Sequence, residues 1–142
     1  MSRVITVVLS RGRARFFDVR ADHTEELACL HSPETRGGKF HSDRSGAPGS
    51  GEHAYHGRRH EEQRRHLAAV ADRLMALAAA DAALDVALAG PEDVTRAVQA
   101  SLPAPLRARV IGTLRVDPKR TTASTITRQT KQLQETWAQL VP

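Results

Sequence analysis

Arg36, Gly37, Gly38, Lys39 and Arg44 lie together in "ETRGGKFHSDR", and Arg58, Arg59, Arg64 and Arg65 follow in "GRRHEEQRRH". Paired glycines open backbone conformations closed to other residues and let the main chain come close to a phosphate or a sugar. The cationic side chains around them match phosphate oxygens. From residue 36 to residue 66 seven Lys/Arg stand against four carboxylates, a net +3, and five of the seven histidines fall in the same stretch. Hardly an aliphatic side chain interrupts it, so it has no core of its own, and a basic, glycine-rich segment of this kind can stay mobile until a polyanion orders it. These nine residues form the candidate RNA-binding set. The bland alternative is a solvated loop whose charges keep the chain soluble. Glu61 and Glu62 could also neutralise Arg65 through i,i+4 and i,i+3 pairs. Phe40 and Tyr55 are the rings in this stretch that could stack on exposed bases, or fold back as a lid.

Other chemistries find less support. His53, His56 and His60 run as H-x2-H-x3-H, a spacing compatible with zinc or nickel but better accounted for by solvated histidines that gain charge below about pH 6.5. His60 and His66 are six apart and are not helical neighbours, and there is no H-E-x-x-H. No metal and no cofactor are expected. His41, Ser42 and Asp43 are adjacent without a G-x-S-x-G elbow, and "LAGPED" lacks the glycines and the Lys-Ser/Thr of a phosphate loop. Asp85, Glu92 and Asp93 fit strand-end and helix-start positions better than paired catalytic carboxylates. The reading therefore assigns no catalytic residue.

The elements that must hold this segment are legible on either side of it. Residues 4–10, "VITVVLS", and 14–20, "ARFFDVR", are β-branched or aromatic runs joined by "RGR", where Gly12 is available for a positive φ, so they predict a hairpin. Residues 25–31, "EELACLH", predict a third strand in which Cys29 is buried as a small hydrophobe. Leu67, Val70, Ala71, Leu74, Leu77 and Ala78 recur at helical spacing and predict a helix from about Arg59 to Ala80. A buried strand at residues 84–90 then ends at Pro91, which can open a helix carrying Val94, Ala97, Val98 and Leu102 on one face. A strand at 110–116 and a final helix with Ile126, Leu133, Trp137 and Leu140 complete the order, Trp137 being expected as a core anchor. The result is one domain over residues 1–142, with a flexible Gly/His/Arg-rich loop at 34–58 within it. It is an α/β fold: a mixed five-stranded sheet in three layers, α/β/α, in the order β-β-β-loop-α-β-α-β-α. The single cysteine excludes a disulfide framework, and the apolar run before Arg11 is too short for a secretory core or a bilayer span. A cytoplasmic location without membrane contact is expected.

"VLSRGRARFFDV", "RGGKFHSDR", "EEQRRHLAAVADRL", "LAGPEDV" and "LRARVIGTLRVD", in this order and spacing, resemble the central domain of the archaeo-eukaryotic release-factor superfamily. That group includes the eukaryotic class-1 peptide-chain release factor, Pelota, and bacterial relatives known as host-attachment or translational-machinery proteins. The resemblance covers nearly the whole chain. It implies a ribonuclease H-like, release-factor-central-domain-like fold whose glycine loop reaches the ribosome. True release factors carry Gly-Gly-Gln there, and its glutamine helps water attack the peptidyl-tRNA ester; here the matching residues are Gly37, Gly38 and Lys39.

The leading expectation is a ribosome-associated domain that binds rRNA or tRNA through the basic Gly-Gly loop, in rescue, hibernation or another stress-linked role. A different class is a peptidyl-tRNA ester hydrolase in which Lys39 stabilises the developing oxyanion. A third is a protein-interaction domain that only inherits the fold. An exposed hairpin edge could pair two copies into a homodimer.

Overall fold

The computed structural model describes residues 3–31 and 50–140, with side chains for residues 3–31 and 61–140. The expected loop residues 34–49 lie outside them. Two hydrophobic strands, β1 (Val4–Leu9) and β2 (Arg13–Val19), form the expected antiparallel hairpin, with Val4 opposite Val19 and Leu9 opposite Ala14. All six residues of β1 are buried, as a central strand covered on both faces requires. β5 (Asp85–Ala89) lies parallel to β1 on its other side, and β6 (Val110–Leu114) lies parallel to β5. The sheet runs β3-β2-β1-β5-β6, with β3 (Thr24–Glu26) and β4 (Leu30–His31) both on the free edge of β2.

The mixed α/β architecture stands, with six strands rather than five. The expected third strand is two pieces because one extra residue intervenes: Phe17 pairs with Glu26 and Ala14 with Leu30, so Arg15 and Phe16 face Leu27, Ala28 and Cys29. A bulge of this kind leaves a residue unpaired and turns side chains away from the alternation read in the sequence. Cys29 is accordingly exposed rather than buried. Gly12 does not take the positive φ expected of it; among the described residues that conformation belongs to Gly90, at 142°.

Alternation along β1 sorts the core into two layers. Ile5, Val7 and Leu9 face α1 (Ser50–Ala80), α2 (Glu92–Ser101) and the short α3 (Ala104–Arg107), packing with Val70, Leu74, Val98 and Leu106. Val4 and Val8 face α4 (Ala123–Leu140), where Ile126 and Leu133 lie against Phe17, Ala87 and Ile111. Between them Thr6 and Thr130, both fully buried, satisfy one another across 2.7 Å. Gly112 lets α4 come close: a Cβ there would meet Leu133 Cδ1 at 2.8 Å.

Two helix expectations change. α1 begins at Ser50 rather than near Arg59, so the histidine-rich stretch from residue 50 onward is helical. Trp137 is not a core anchor. Burial along α4 is complete at Ile126 and Thr130 but falls away to 38% exposure at Trp137 and 73% at Leu140, because the helix outlasts the surface it packs on.

Candidate nucleic-acid interface and adjoining cleft

α1 supplies the only members of the expected RNA-binding set whose side chains are described. Val70, Leu74 and Ala78 turn one stripe of the helix into the core, which leaves Arg64 and Arg65 exposed on the other side. Arg65 meets Glu61 at 3.6 Å with both side chains well solvated (75% and 59% exposed). An exposed i,i+4 pair of that length is worth only a few tenths of a kcal/mol, about 0.3–0.5, and leaves the guanidinium available to another anion. Arg73, two turns further on, behaves differently: it lies over the buried Phe16 ring at 4.9 Å. Arg58 and Arg59 belong to the same continuous helix as Arg64 and Arg65, but their side chains lie outside the described residues. Arg36, Gly37, Gly38, Lys39 and Arg44 lie outside them altogether. The histidine triplet His53, His56 and His60 is likewise beyond the described side chains. Among those that are described, no group of three His, Cys, Asp or Glu could hold a metal ion.

A cleft of about 320 Å³ opens beside this helix, where β1 ends at Leu9 and α2 begins after β5. Its floor is aliphatic, from Leu9, Leu67, Val94 and Val98; Ser10, Arg11, Gln63, His66 and Asp93 bring polar groups to it. His66 is 6% exposed. Burial holds the imidazole below its ordinary pKa, the nearby His31 pushes the same way, and a hydrogen bond with the backbone of Arg13 opposes both. A backbone contact that favours the protonated ring is one with the Arg13 carbonyl. Nε2 has no hydrogen-bond partner, and in a neutral imidazole an unprotonated Nε2 can accept one. The same Arg13 carbonyl accepts from the Ser10 amide at 2.9 Å, which ties His66 to the β1–β2 turn.

The opposite end of the sheet is closed by charge. Arg3 Nε donates to Asp18 at 2.9 Å and Arg20 to the same carboxylate at 3.2 Å, while Arg3 also reaches Asp81 at 3.3 Å. Burial alone would raise the Asp18 pKa, but the two arginines outweigh it and hold the carboxyl below its usual range. Arg109 donates to the carbonyls of Asp81 and Leu84. The neighbouring Asp85 is raised by burial, with attraction to Arg109 offsetting part of that. Glu92 and Asp93 do sit in the first turn of α2, as the sequence implied; Glu92 is taken up by Arg96 at 2.6 Å and Arg115 at 3.1 Å.

The cleft is not among the sites expected from the sequence. His66 stands six residues from His60 but precedes Val70, Leu74 and Ala78 at intervals of four. A histidine in register with an apolar stripe is the signal that would have marked it. Arg11 and Asp93 carry no such mark, because only the packing of α2 beside the hairpin brings them to one cleft.

A family model described as "Bacterial archaeo-eukaryotic release factor family 10" matches residues 1–135. Among solved structures the chain is similar to "Crystal structure of archaeal translation termination factor, aRF1", at 12% identity and a TM-score of 0.58, over 96% of this chain and 40% of that one. A second structure, "Archaeal protein", shares 13% identity at a TM-score of 0.49, over 96% of this chain and 39% of that one. The chain thus spans well under half the length of the archaeal termination factor, and a likeness at such identity concerns the fold. No match was found among curated proteins.

Proposed function

Because the chain belongs to family 10 of the bacterial archaeo-eukaryotic release factors, we propose that this release-factor-like domain associates with the ribosome and contacts rRNA or tRNA through the basic side of α1 and the Gly37/Gly38 segment before it. The observation that carries the proposal is the contrast among arginines. Arg3, Arg15 and Arg20 are bound to carboxylates of their own fold, whereas Arg64 and Arg65 stand exposed, Arg65 in a long 3.6 Å pair with Glu61. Arg58 and Arg59 continue the basic series along the helix. Among the described residues no helix is long and apolar enough to cross a membrane. Exposed guanidinium groups match phosphate oxygens, so a polyanion is the partner this surface fits. Rescue of stalled ribosomes and ribosome hibernation are the settings that suit such a contact.

Co-sedimentation with ribosomes across a salt series tests it. Wild-type protein is expected to pellet at low salt and to be released steeply as salt rises, since each phosphate contact displaces counterions. Reversing Arg58, Arg59, Arg64 and Arg65 to glutamate should abolish pelleting at all salt concentrations. Absence of wild-type binding at low salt, or unchanged binding of the reversed protein, defeats the proposal.

A further inference from the structure

The cleft between the β1–β2 turn, α1 and α2 is a nucleotide site, we infer: its aliphatic floor takes the face of one base, His66 Nε2 accepts a hydrogen bond from that base, and Arg11 and Asp93 hold the phosphate and the ribose. Four observations converge. The cavity volume, about 320 Å³, falls at the lower end of the usual range for small-ligand sites, about 300–1,000 Å³. His66 is more than nine-tenths buried, and its Nε2 has no partner. A buried acceptor left unpaired is a net cost to the fold, and every nucleobase offers an amino group or a ring N–H to meet it.

Topology supplies the third observation. β1 and β5 are adjacent and parallel, yet β1 leads to β2 on one side and β5 leads through α2 to β6 on the other. The chain therefore leaves these two strand ends in opposite directions. The crevice outside the carboxyl ends of such a pair is where open α/β sheets take their ligands. Gly90 keeps that corner tight: its φ is 142°, and a Cβ would stand 2.6 Å from the carbonyl oxygen of Leu9. The fourth observation is charge. Arg11 and Asp93 are exposed residues of opposite sign at one cleft, and the ion pairs among the described residues include neither. A guanidinium is suited to phosphate, and a carboxylate accepts from ribose hydroxyls.

The nucleotide comes either free from solution or as one unstacked residue of an RNA. The inference goes beyond the ribosomal reading and does not need it, because the cleft residues other than those of α1 lie on the hairpin and α2.

Titration of the full chain with AMP, CMP, GMP, UMP and a short unstructured RNA, followed by amide and imidazole nitrogen resonances, tests the site. At least one mononucleotide is expected to move the amides of residues 10–11, 63–67 and 93–98, together with the His66 Nε2 resonance. His66→Phe should weaken that nucleotide about tenfold, the scale of one hydrogen bond to a buried group. Arg11→Ala, at an exposed position that leaves the core intact, should weaken the monophosphate several-fold while the matching nucleoside binds as before. A free nucleotide is the source if the mononucleotide binds as tightly as the RNA; an RNA residue is the source if the RNA binds more tightly and the mononucleotide displaces it. Silence of all four mononucleotides and of the RNA overturns the inference, as does unchanged binding by both variants. Ribosome co-sedimentation of the same variants separates the two readings: pelleting without nucleotide binding sinks this inference alone.

Discussion

The two ends of the sheet use the same residue types to opposite effect. At the amino ends of β1, β5 and β6, Arg3, Arg20 and Arg109 find Asp18, Asp81 and two backbone carbonyls. At the carboxyl ends of β1 and β5, Arg11 and Asp93 border a cleft with no ion pair among the described residues, and His66 keeps a bare nitrogen beneath them. One end has used its charge internally. The other holds it ready, and the fold there is fixed by backbone and aliphatic packing instead. Charge that the fold has consumed contributes to stability, whereas charge left unpaired at a cleft is available to a ligand.

The sharpest way to break this comparison is at the corner that holds the open end together. Gly90→Ala forces a methyl group to within 2.6 Å of the Leu9 carbonyl oxygen at a φ of 142°, a conformation that side chains other than glycine scarcely adopt. Unfolding in urea should show a loss of about 2–4 kcal/mol. A loss below about 1 kcal/mol would mean that the β1–β5 corner is free to open. Asp18→Asn tests the closed end. It removes a carboxylate whose side chain is 6% exposed, but Arg3 and Arg20 are 20% and 47% exposed and can turn to water. The expected loss is therefore about 1–3 kcal/mol rather than the full penalty of a sealed pair. The sign with pH is fixed: the folded pKa of Asp18 lies below the ordinary value. Its contribution is present above about pH 3.9 and disappears as pH falls through the folded value. Wild-type and variant stabilities should therefore converge in acid.

Much of this arrangement was legible because periodicity is a local signal. The alternation of Val4 to Leu9, the stripe of Val70, Leu74 and Ala78, and Pro91 opening α2 each declare themselves within a few residues. What failed depended on pairing partners. The extra residue between Glu26 and Leu30 exists only relative to β2, so no reading of "EELACLH" alone could break the strand or expose Cys29. Trp137 continues the spacing of Ile126 and Leu133, yet spacing does not say where the sheet beneath a helix stops. The candidate site divides in the same way: the arginines of α1 could be named from composition, but the cleft joins residues 11, 66 and 93, which only the folded chain brings together.

The smallest expected effect on stability falls on the residue with the largest expected effect on the cleft. His66→Phe keeps the apolar stripe filled and removes the unpartnered Nε2, while the Arg13 carbonyl retains the Ser10 amide at 2.9 Å. Relief of the orphaned Nε2 offsets loss of the ring's contact with the Arg13 backbone, so stability near pH 7.5 should stay within about 1 kcal/mol of wild type. The pH dependence should nevertheless change. Because the folded pKa of His66 lies below that of the unfolded chain, near 6.5, the unfolded state binds the extra proton first and wild-type stability falls as pH drops below that value, levelling only under the folded pKa. His31 on β4 opposes a positive charge on the ring, while Arg11 on the hairpin turn and Asp93 on α2 are the charged groups of the cleft. Stability of wild type minus variant, measured in urea from pH 7.5 to 5, should therefore decline with acid. A flat difference would mean that the ring takes up its proton as readily as in the unfolded chain, and that burial does not hold the imidazole neutral at the open end of the sheet.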